Sequence, residues 1–156
     1  MFIFYLMTCI VNVDNSCMST IPDSAEKAFK IAQKSRDNAY APYSKLHVGA
    51  AIKFKGVDEV IGGCNVENAS YGATICAERT GIGQAVARFG TVEIEFLVLS
   101  SDSPSGVIPP CGMCLQVMRE FTGSDFPVYL GDKDHIKETA MFSQLYPRNF
   151  KSEMLP

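Results

Sequence analysis

The first half of the chain alternates apolar and polar residues in a way that predicts one helix and two strands. From Ala25 to Ala32 the apolar positions recur at helical spacing. The preceding Asp-Ser-Ala-Glu (23–26) resembles a capping box, and Pro42 is expected to end the helix. VGAAIKF (48–54) and VIGGCNVE (60–67) are typical of strands, and the turn at 56–59 between them predicts a hairpin.

The second half alternates helical and extended patterns. Helices are predicted for residues 75–89, 111–121 and 137–146. EIEFLVLSS (93–101) is almost continuously apolar, which favours a central strand, and PVYL (127–130) predicts a shorter one. This order of elements predicts a layered α/β domain with a mixed sheet.

The chain begins with an apolar run, MFIFYLMTCIVNV. A membrane-spanning helix needs roughly 18 to 20 apolar residues, more than this run provides. A secretory signal has Lys or Arg before its apolar run, and none precedes this one. We therefore expect residues 1–18 to be a disordered or adventitious extension, residues 19–156 to form a single domain, and the protein to be cytoplasmic without a membrane partner.

Composition narrows the function classes. Of the 156 residues, 47% are hydrophobic and 20% are charged, as in globular proteins. The formal net charge is −3, and no run of Lys and Arg occurs. Proteins that bind nucleic acid normally present a basic patch, so a nucleic-acid partner is not expected.

Three of the six cysteines lie in two short stretches, CAERTG (76–81) and PPCGMC (109–114). Both stretches are expected at helix starts, where free N–H groups favour thiolate over thiol. Cys111 and Cys114, three positions apart, can reach one metal ion, and Cys76 can supply a third thiolate. Glu78 is too close to Cys76 for a fourth ligand, but it can reach whatever occupies the fourth position.

The residues alone leave three interpretations open. Three protein ligands with an open position are typical of catalytic zinc, whereas a structural zinc would need a fourth donor, for which Cys64, His47 and His135 are candidates. The Cys-x-x-Cys pair is also found in thioredoxin-like redox centres. The redox interpretation leaves Cys76 and Glu78 without a role.

Three stretches together resemble the homotetrameric cytidine deaminases: YAPYSKLHVGAA (40–51), GCNVENASYGATICAERT (63–80) and PPCGMCLQVMREF (109–121). The resemblance extends from about Ser24 to Phe150. It implies a three-layer α/β/α domain with a mixed, about five-stranded sheet. It also implies hydrolytic deamination of free cytidine and deoxycytidine to uridine and deoxyuridine in pyrimidine salvage, by a homotetramer whose active sites are shared between subunits.

The resemblance also implies roles for residues around the metal. Cys76, Cys111 and Cys114 would bind Zn²⁺, with water in the fourth position. Glu78 would act as the proton shuttle, and Arg79 would hydrogen-bond the thiolates.

By the same resemblance, a second group of residues would hold the substrate. Asn65 and Glu67 would bind the ribose 3′-hydroxyl, and the N–H of Ala77 would bind the cytosine O2. Tyr71 and Phe150 would reach the base from neighbouring subunits.

This chain departs from many relatives at two positions. Leu46 stands where many have Phe, and Leu115 stands where many have Arg. Leu46 can still pack against the base. With Leu115 in place of a second cation, Arg79 is expected to stabilise the thiolates alone.

Two other functions remain as alternatives. Blasticidin-S-type deaminases share the CNVENASY and PCxxC features, although those compared have Thr after CAE. A non-catalytic, zinc-stabilised interaction domain would need the three cysteines but not Glu78, Glu67 or Asn65. A deaminase that edits nucleic acid is disfavoured by the acidic charge and by Cys76, where such enzymes usually have His.

Overall fold

A computed structural model of the chain describes residues 21–155. The prediction made for residues 1–18 lies outside this range, and the single domain over 19–156 stays a prediction. In the described range no helix is long and apolar enough to cross a membrane. The main elements, in chain order, are α1 (Asp23–Asp37), β1 (Val48–Phe54), β2 (Val60–Cys64), α2 (Ala77–Phe89), β3 (Ile94–Ser101), α3 (Gly112–Glu120), β4 (Pro127–Gly131), β5 (Ile136–Met141) and α4 (Phe142–Leu145).

The five strands form one mixed sheet in the order β2-β1-β3-β4-β5. β1 pairs antiparallel with both β2 and β3, β4 pairs parallel with β3, and β5 pairs antiparallel with β4. β3 is the central strand, as its apolar run predicts, and all but one of its residues are buried. Parallel strands need a crossover, which here contains α3.

Helices cover both faces of this sheet. Alternate strand residues point to opposite sides, so each face contributes apolar side chains to a separate core. On one face, Ile52 and Leu97 belong to a core that includes Ile82 of α2 and Met118 of α3. On the other face, strand residues pack against the buried side of α1; this second core contains Ala25, Ala28, Phe29, Ala32, Ala51, Phe96, Val98, Tyr129 and Ile136. The three-layer α/β/α prediction is therefore confirmed.

The ends of α1 differ from the prediction. Pro22 precedes the helix and no side chain caps it, so Asp23 is the first helical residue and the predicted capping box is wrong. Proline suits this position because it has no N–H to leave unpaired. The helix ends at Asp37, well before Pro42, where the N–H of Asn38 bonds the carbonyl of Ser35.

The helix predicted over 137–146 is also wrong. Ile136–Met141 is strand β5, and only Phe142–Leu145 is helical. The local Lys-Glu-Thr-Ala-Met sequence has mostly helix-favouring residues. The edge of β4 nevertheless pairs with this segment, and Ile136 and Ala140 are buried. Tertiary pairing therefore overrides local propensity.

Candidate active site

The N-terminal ends of α2 and α3 meet beside the sheet and bring three cysteines together. Cys76 directly precedes α2, Cys111 directly precedes α3, and Cys114 lies buried in the first turn of α3. The Sγ atoms of Cys76 and Cys111 are 3.9 Å apart, and those of Cys111 and Cys114 are 3.5 Å apart. All three sulfurs lie within 4.8 Å of one another.

Gly63 of β2 lets α2 approach the sheet closely enough to build this cluster. A Cβ at Gly63 would lie 2.3 Å from the carbonyl oxygen of Ala77 and 2.5 Å from the nitrogen of Gly81. Side chains do not tolerate such distances, so only glycine fits between β2 and the first turns of α2. This contact sets the position of the α2 N-terminus, and with it the positions of Cys76 and Glu78.

The geometry of the cysteines fits zinc. Tetrahedral coordination with Zn–S bonds of about 2.3 Å places sulfurs about 3.8 Å apart, close to the observed separations. A disulfide would need about 2.05 Å, and these cysteines are free. Within residues 21–155, neither Cys64 nor His47 nor His135 belongs to the cluster. Three sulfur donors and an open position are the pattern of a catalytic zinc site.

Electrostatics also favour a cation here. The neighbouring Cys114 thiol and the Arg79 guanidinium together lower the pKa of Cys76 to about 5. The proximity of Cys76, together with burial, raises the pKa of Cys114. Cys76 therefore loses its proton readily, whereas Cys114 tends to keep its proton. A divalent cation is what allows all three to be thiolates.

Arg79, in the first turn of α2, contacts the cysteine cluster at Cys76. Its Nη2 donates to the carbonyl of Thr74 at 3.0 Å and to the Sγ of Cys76 at 3.6 Å. Its Nε is buried, with no acceptor among the described residues. Leu115 is buried in the core between the sheet and the α2–α3 layer and offers the thiolates no charge. The cation next to Cys76 is thus Arg79.

Glu78 lies in the first turn of α2 and is only 4% exposed. Burial raises the pKa of its carboxyl to about 7, and the charge of Cys76 adds to the effect. A carboxyl group with a pKa near neutrality can both accept and donate a proton. A carboxyl group with such a pKa, beside a cluster of cysteines that can bind a metal ion, is a candidate for acid–base chemistry.

A cavity of about 320 Å³ opens in front of Glu78 and the cysteines. Seven of the predicted site residues line it: Leu46, Asn65, Glu67, Cys76, Ala77, Glu78 and Cys111. Sequence reasoning missed the remaining lining residues, which are Ser44, Val48, Thr74, Leu99, Ile108 and Pro109. Most of these lie in the stretches 40–51, 63–80 and 109–121, which carry the family resemblance. Their position in those stretches was the only feature of the sequence that could have indicated them.

Asn65 is buried and holds the chain segment that leads into β1. Its Oδ1 accepts from the N–H of Val48 at 2.8 Å, and its Nδ2 donates to the carbonyl of Leu46 at 2.9 Å. This use of the amide is structural, and it was not anticipated from the sequence. It fixes Leu46 in the wall of the cavity.

Glu67 binds the same segment further upstream. Its Oε2 accepts from the backbone N–H groups of Tyr43 at 2.9 Å and Ser44 at 3.2 Å, and its Oε1 accepts from the Ser44 hydroxyl. The hydroxyl bond and the backbone bonds lower the pKa of Glu67, which is therefore ionised. Three donors leave one of the roughly four acceptor positions of a carboxylate free.

The two predicted aromatic contacts are not part of this cavity. Tyr71 is 76% exposed and lines an adjoining cavity together with Ser44, Glu67 and Thr74. Phe150 is 48% exposed and lines a separate recess near the C-terminus. Neither aromatic ring lines the cavity in front of Glu78.

Comparison with known proteins identifies the family. Residues 22–130 match the family model described as the cytidine and deoxycytidylate deaminase zinc-binding region. Cytidine deaminase from Halalkalibacterium halodurans is 42% identical over 80% of this chain and 92% of its own length. The crystal structure of cytidine deaminase from Burkholderia pseudomallei superimposes with a TM-score of 0.73 at 35% identity, covering 80% of this chain and 98% of that one.

A blasticidin-S deaminase from Bacillus cereus is also similar, at 32% identity over 53% of this chain and 63% of its own length. The fold and the three-cysteine site define a zinc-dependent hydrolytic deaminase. The chain belongs to the cytidine and deoxycytidylate deaminase zinc-binding family. The predicted family, fold class and Zn²⁺ cofactor are confirmed.

Proposed function

We propose that this protein catalyses the hydrolytic deamination of free cytidine and deoxycytidine to uridine and deoxyuridine. The observation that carries the proposal is the buried carboxyl of Glu78, which faces the same cavity as Cys76 and Cys111. The similarity to proteins named cytidine deaminase supports the choice of substrate. Cys76, Cys111 and Cys114 are proposed to hold the zinc ion.

The proposed chemistry centres on proton transfer by Glu78. When bound, Zn²⁺ supplies the positive charge that lowers the pKa of a water towards neutrality. The Glu78 carboxylate would accept a proton from the attacking water, whose oxygen bonds to C4 of cytosine, and would pass the proton to N3. Glu78 then takes the proton of the new C4 hydroxyl and gives it to the amine. The C4–N bond breaks, so one water is consumed and one ammonia is released.

The cavity residues are proposed to orient the nucleoside. Ala77 is the first residue of α2, and its N–H belongs to the helix turn that has no intrahelical acceptors, so it can donate to the cytosine O2. Leu46 packs against the base. The ionised Glu67 accepts from the ribose 3′-hydroxyl with its remaining acceptor position, and Asn65 contributes its second amide hydrogen. A fixed negative charge at this point disfavours a phosphate, which favours nucleosides over nucleotides.

The enzyme is further proposed to be a homotetramer whose neighbouring subunits bring Tyr71 and Phe150 to the active site. Exposed apolar side chains support an interface: Tyr40, Val66 and Ile75 are exposed and adjacent through backbone bridges. Activity that falls together with assembly on dilution, followed by light scattering, would bear this out. A stable monomer with full activity would exclude it. Cytoplasmic pyrimidine salvage completes the proposal, and cell fractionation tests the location.

The decisive experiment measures ammonia release and the loss of cytidine absorbance. Purified zinc-loaded protein is incubated separately with cytidine, deoxycytidine, cytidine monophosphate and blasticidin S. We expect stoichiometric ammonia from the two nucleosides. Turnover of blasticidin S alone would instead favour the antibiotic deaminase.

A protein that carries one zinc per chain but releases no ammonia would favour the non-catalytic domain. Against that alternative stands the burial of Glu78, because a structural zinc site does not need a desolvated carboxyl, which costs free energy of folding.

A further inference from the structure

The side chain of Ser44 connects the Leu46 segment to Glu67. Its Oγ accepts the N–H of Leu46 at 3.0 Å and donates to Oε1 of Glu67, while its own N–H donates to Oε2 of Glu67 at 3.2 Å. Ser44 also lines both the main cavity and the adjoining one that contains Tyr71. Among the described residues, it is the only side chain that bonds to the Glu67 carboxylate.

The backbone between these contacts adopts an unfavourable conformation. Lys45 has φ of 60°, and it is the one non-glycine residue within 21–155 with positive φ. The left-handed region is unfavourable for an ordinary residue, so neighbouring contacts must maintain it. The Ser44 hydroxyl supplies such a contact, because it bonds both the residue directly after Lys45 and the neighbouring carboxylate of Glu67.

We propose that Ser44 is a positioning residue that fixes the Glu67 carboxylate in the orientation needed to accept the sugar 3′-hydroxyl. The inference rests on the proposed function and adds to it a determinant of sugar specificity. The two backbone N–H groups anchor only Oε2 of Glu67. Without the Ser44 hydroxyl, Oε1 loses its donor and the carboxylate plane is free to turn about the anchored oxygen.

The test compares cytidine with 2′,3′-dideoxycytidine, which lacks the 3′-hydroxyl. Ser44→Ala should raise KM for cytidine about tenfold, the effect of one well-placed hydrogen bond, with kcat and zinc content within twofold of the parent. KM for dideoxycytidine should change less than twofold. Ser24→Ala provides the control, because Ser24 is exposed on α1 across the sheet.

A double-mutant cycle separates positioning from general structural damage. In a Glu67→Ala background, which removes the acceptor of the Ser44 hydroxyl, Ser44→Ala should leave the ratio of kcat/KM for the two nucleosides unchanged. If the alanine variant does not fold, Ser44→Thr and Ser44→Val repeat the comparison with and without the hydroxyl in nearly the same shape.

Three outcomes overturn the inference: equal losses for both nucleosides, the same loss in the Glu67→Ala background, or a lower KM for cytidine. A parent protein that deaminates cytidine but does not prefer it to dideoxycytidine overturns the inference and the proposed contact of Glu67 with the 3′-hydroxyl, but not the proposed deamination. A parent that deaminates neither overturns the proposed function as well.

Discussion

Replacing Gly63 with alanine tests whether the packing of β2 against α2 controls the metal site. The new Cβ would lie 2.3 Å from the carbonyl oxygen of Ala77 and 2.5 Å from the nitrogen of Gly81. Both are backbone atoms of the first turns of α2, so no flexible side chain can move aside. Ordinary contact begins near 3.4 Å, and α2 and β2 must therefore separate by about 1 Å.

That displacement acts on stability and on the site. Overpacking a well-packed interior typically costs about 1–3 kcal/mol of unfolding free energy. Cys76 and Glu78 move with α2, whereas Cys111 and Cys114 belong to α3. A shift of 1 Å at a reacting group can lower the rate about 100-fold. We therefore expect Gly63→Ala to lose about two orders of magnitude in kcat/KM and to bind zinc more weakly.

The assay measures cytidine turnover, zinc content after dialysis and urea unfolding for Gly63→Ala and for Gly83→Ala. Gly83 lies in the same helix, and a Cβ there meets nothing within 4 Å. The control should keep full activity and gain up to about 1 kcal/mol, because alanine favours the helix over glycine. If Gly63→Ala binds zinc and turns over cytidine as well as this control does, the reasoning about helix placement is refuted.

Three further perturbations probe the site itself. Glu78→Gln keeps the buried shape but cannot shuttle protons, so turnover should fall at least about 10³-fold, within the range of acid–base catalysis, while zinc and substrate binding persist. Arg79→Ala removes the hydrogen bond and charge at Cys76 and should weaken zinc binding about 10- to 100-fold, read by competition with a chelating dye. Zinc removal by a chelator should abolish turnover and lower the melting temperature, and added Zn²⁺ should restore both.

Each of these expectations has a contrary result. Substantial turnover by a zinc-loaded Glu78→Gln protein would exclude the proton-shuttle role. Unchanged zinc affinity in Arg79→Ala would mean that its contact with Cys76 has no influence on the metal. Persistent activity after verified zinc removal would separate catalysis from the cysteine cluster.

Much of the fold followed from local patterns. The apolar run at 93–101 predicted the central strand. The helical periodicities located α1, although it ends earlier than expected, and predicted α2 and α3 to within two residues of their ends. The cysteine cluster was predictable for a similar reason. Each of its members lies at or within the first turn of a helix, and only two helix starts had to meet.

Long-range contacts decided the rest. β5 was wrongly predicted to be a helix. Its backbone groups are hydrogen-bonded by β4, and the local sequence of β5 carries no sign of that pairing. Asn65 and Glu67 were predicted to bind the ribose, a role that stays a prediction, but only the structure revealed that they hold the segment containing Ser44 and Leu46.

The sequence by itself therefore determined which chemical groups are present and on which elements they lie, because periodicity and spacing are local properties of the chain. The tertiary structure decided how far those groups are from one another and how buried they are. The pKa of Glu78 near 7 illustrates the difference: its main cause is burial, which exists only in the folded chain. Gly63 is a second case, since its role exists only where β2 meets α2.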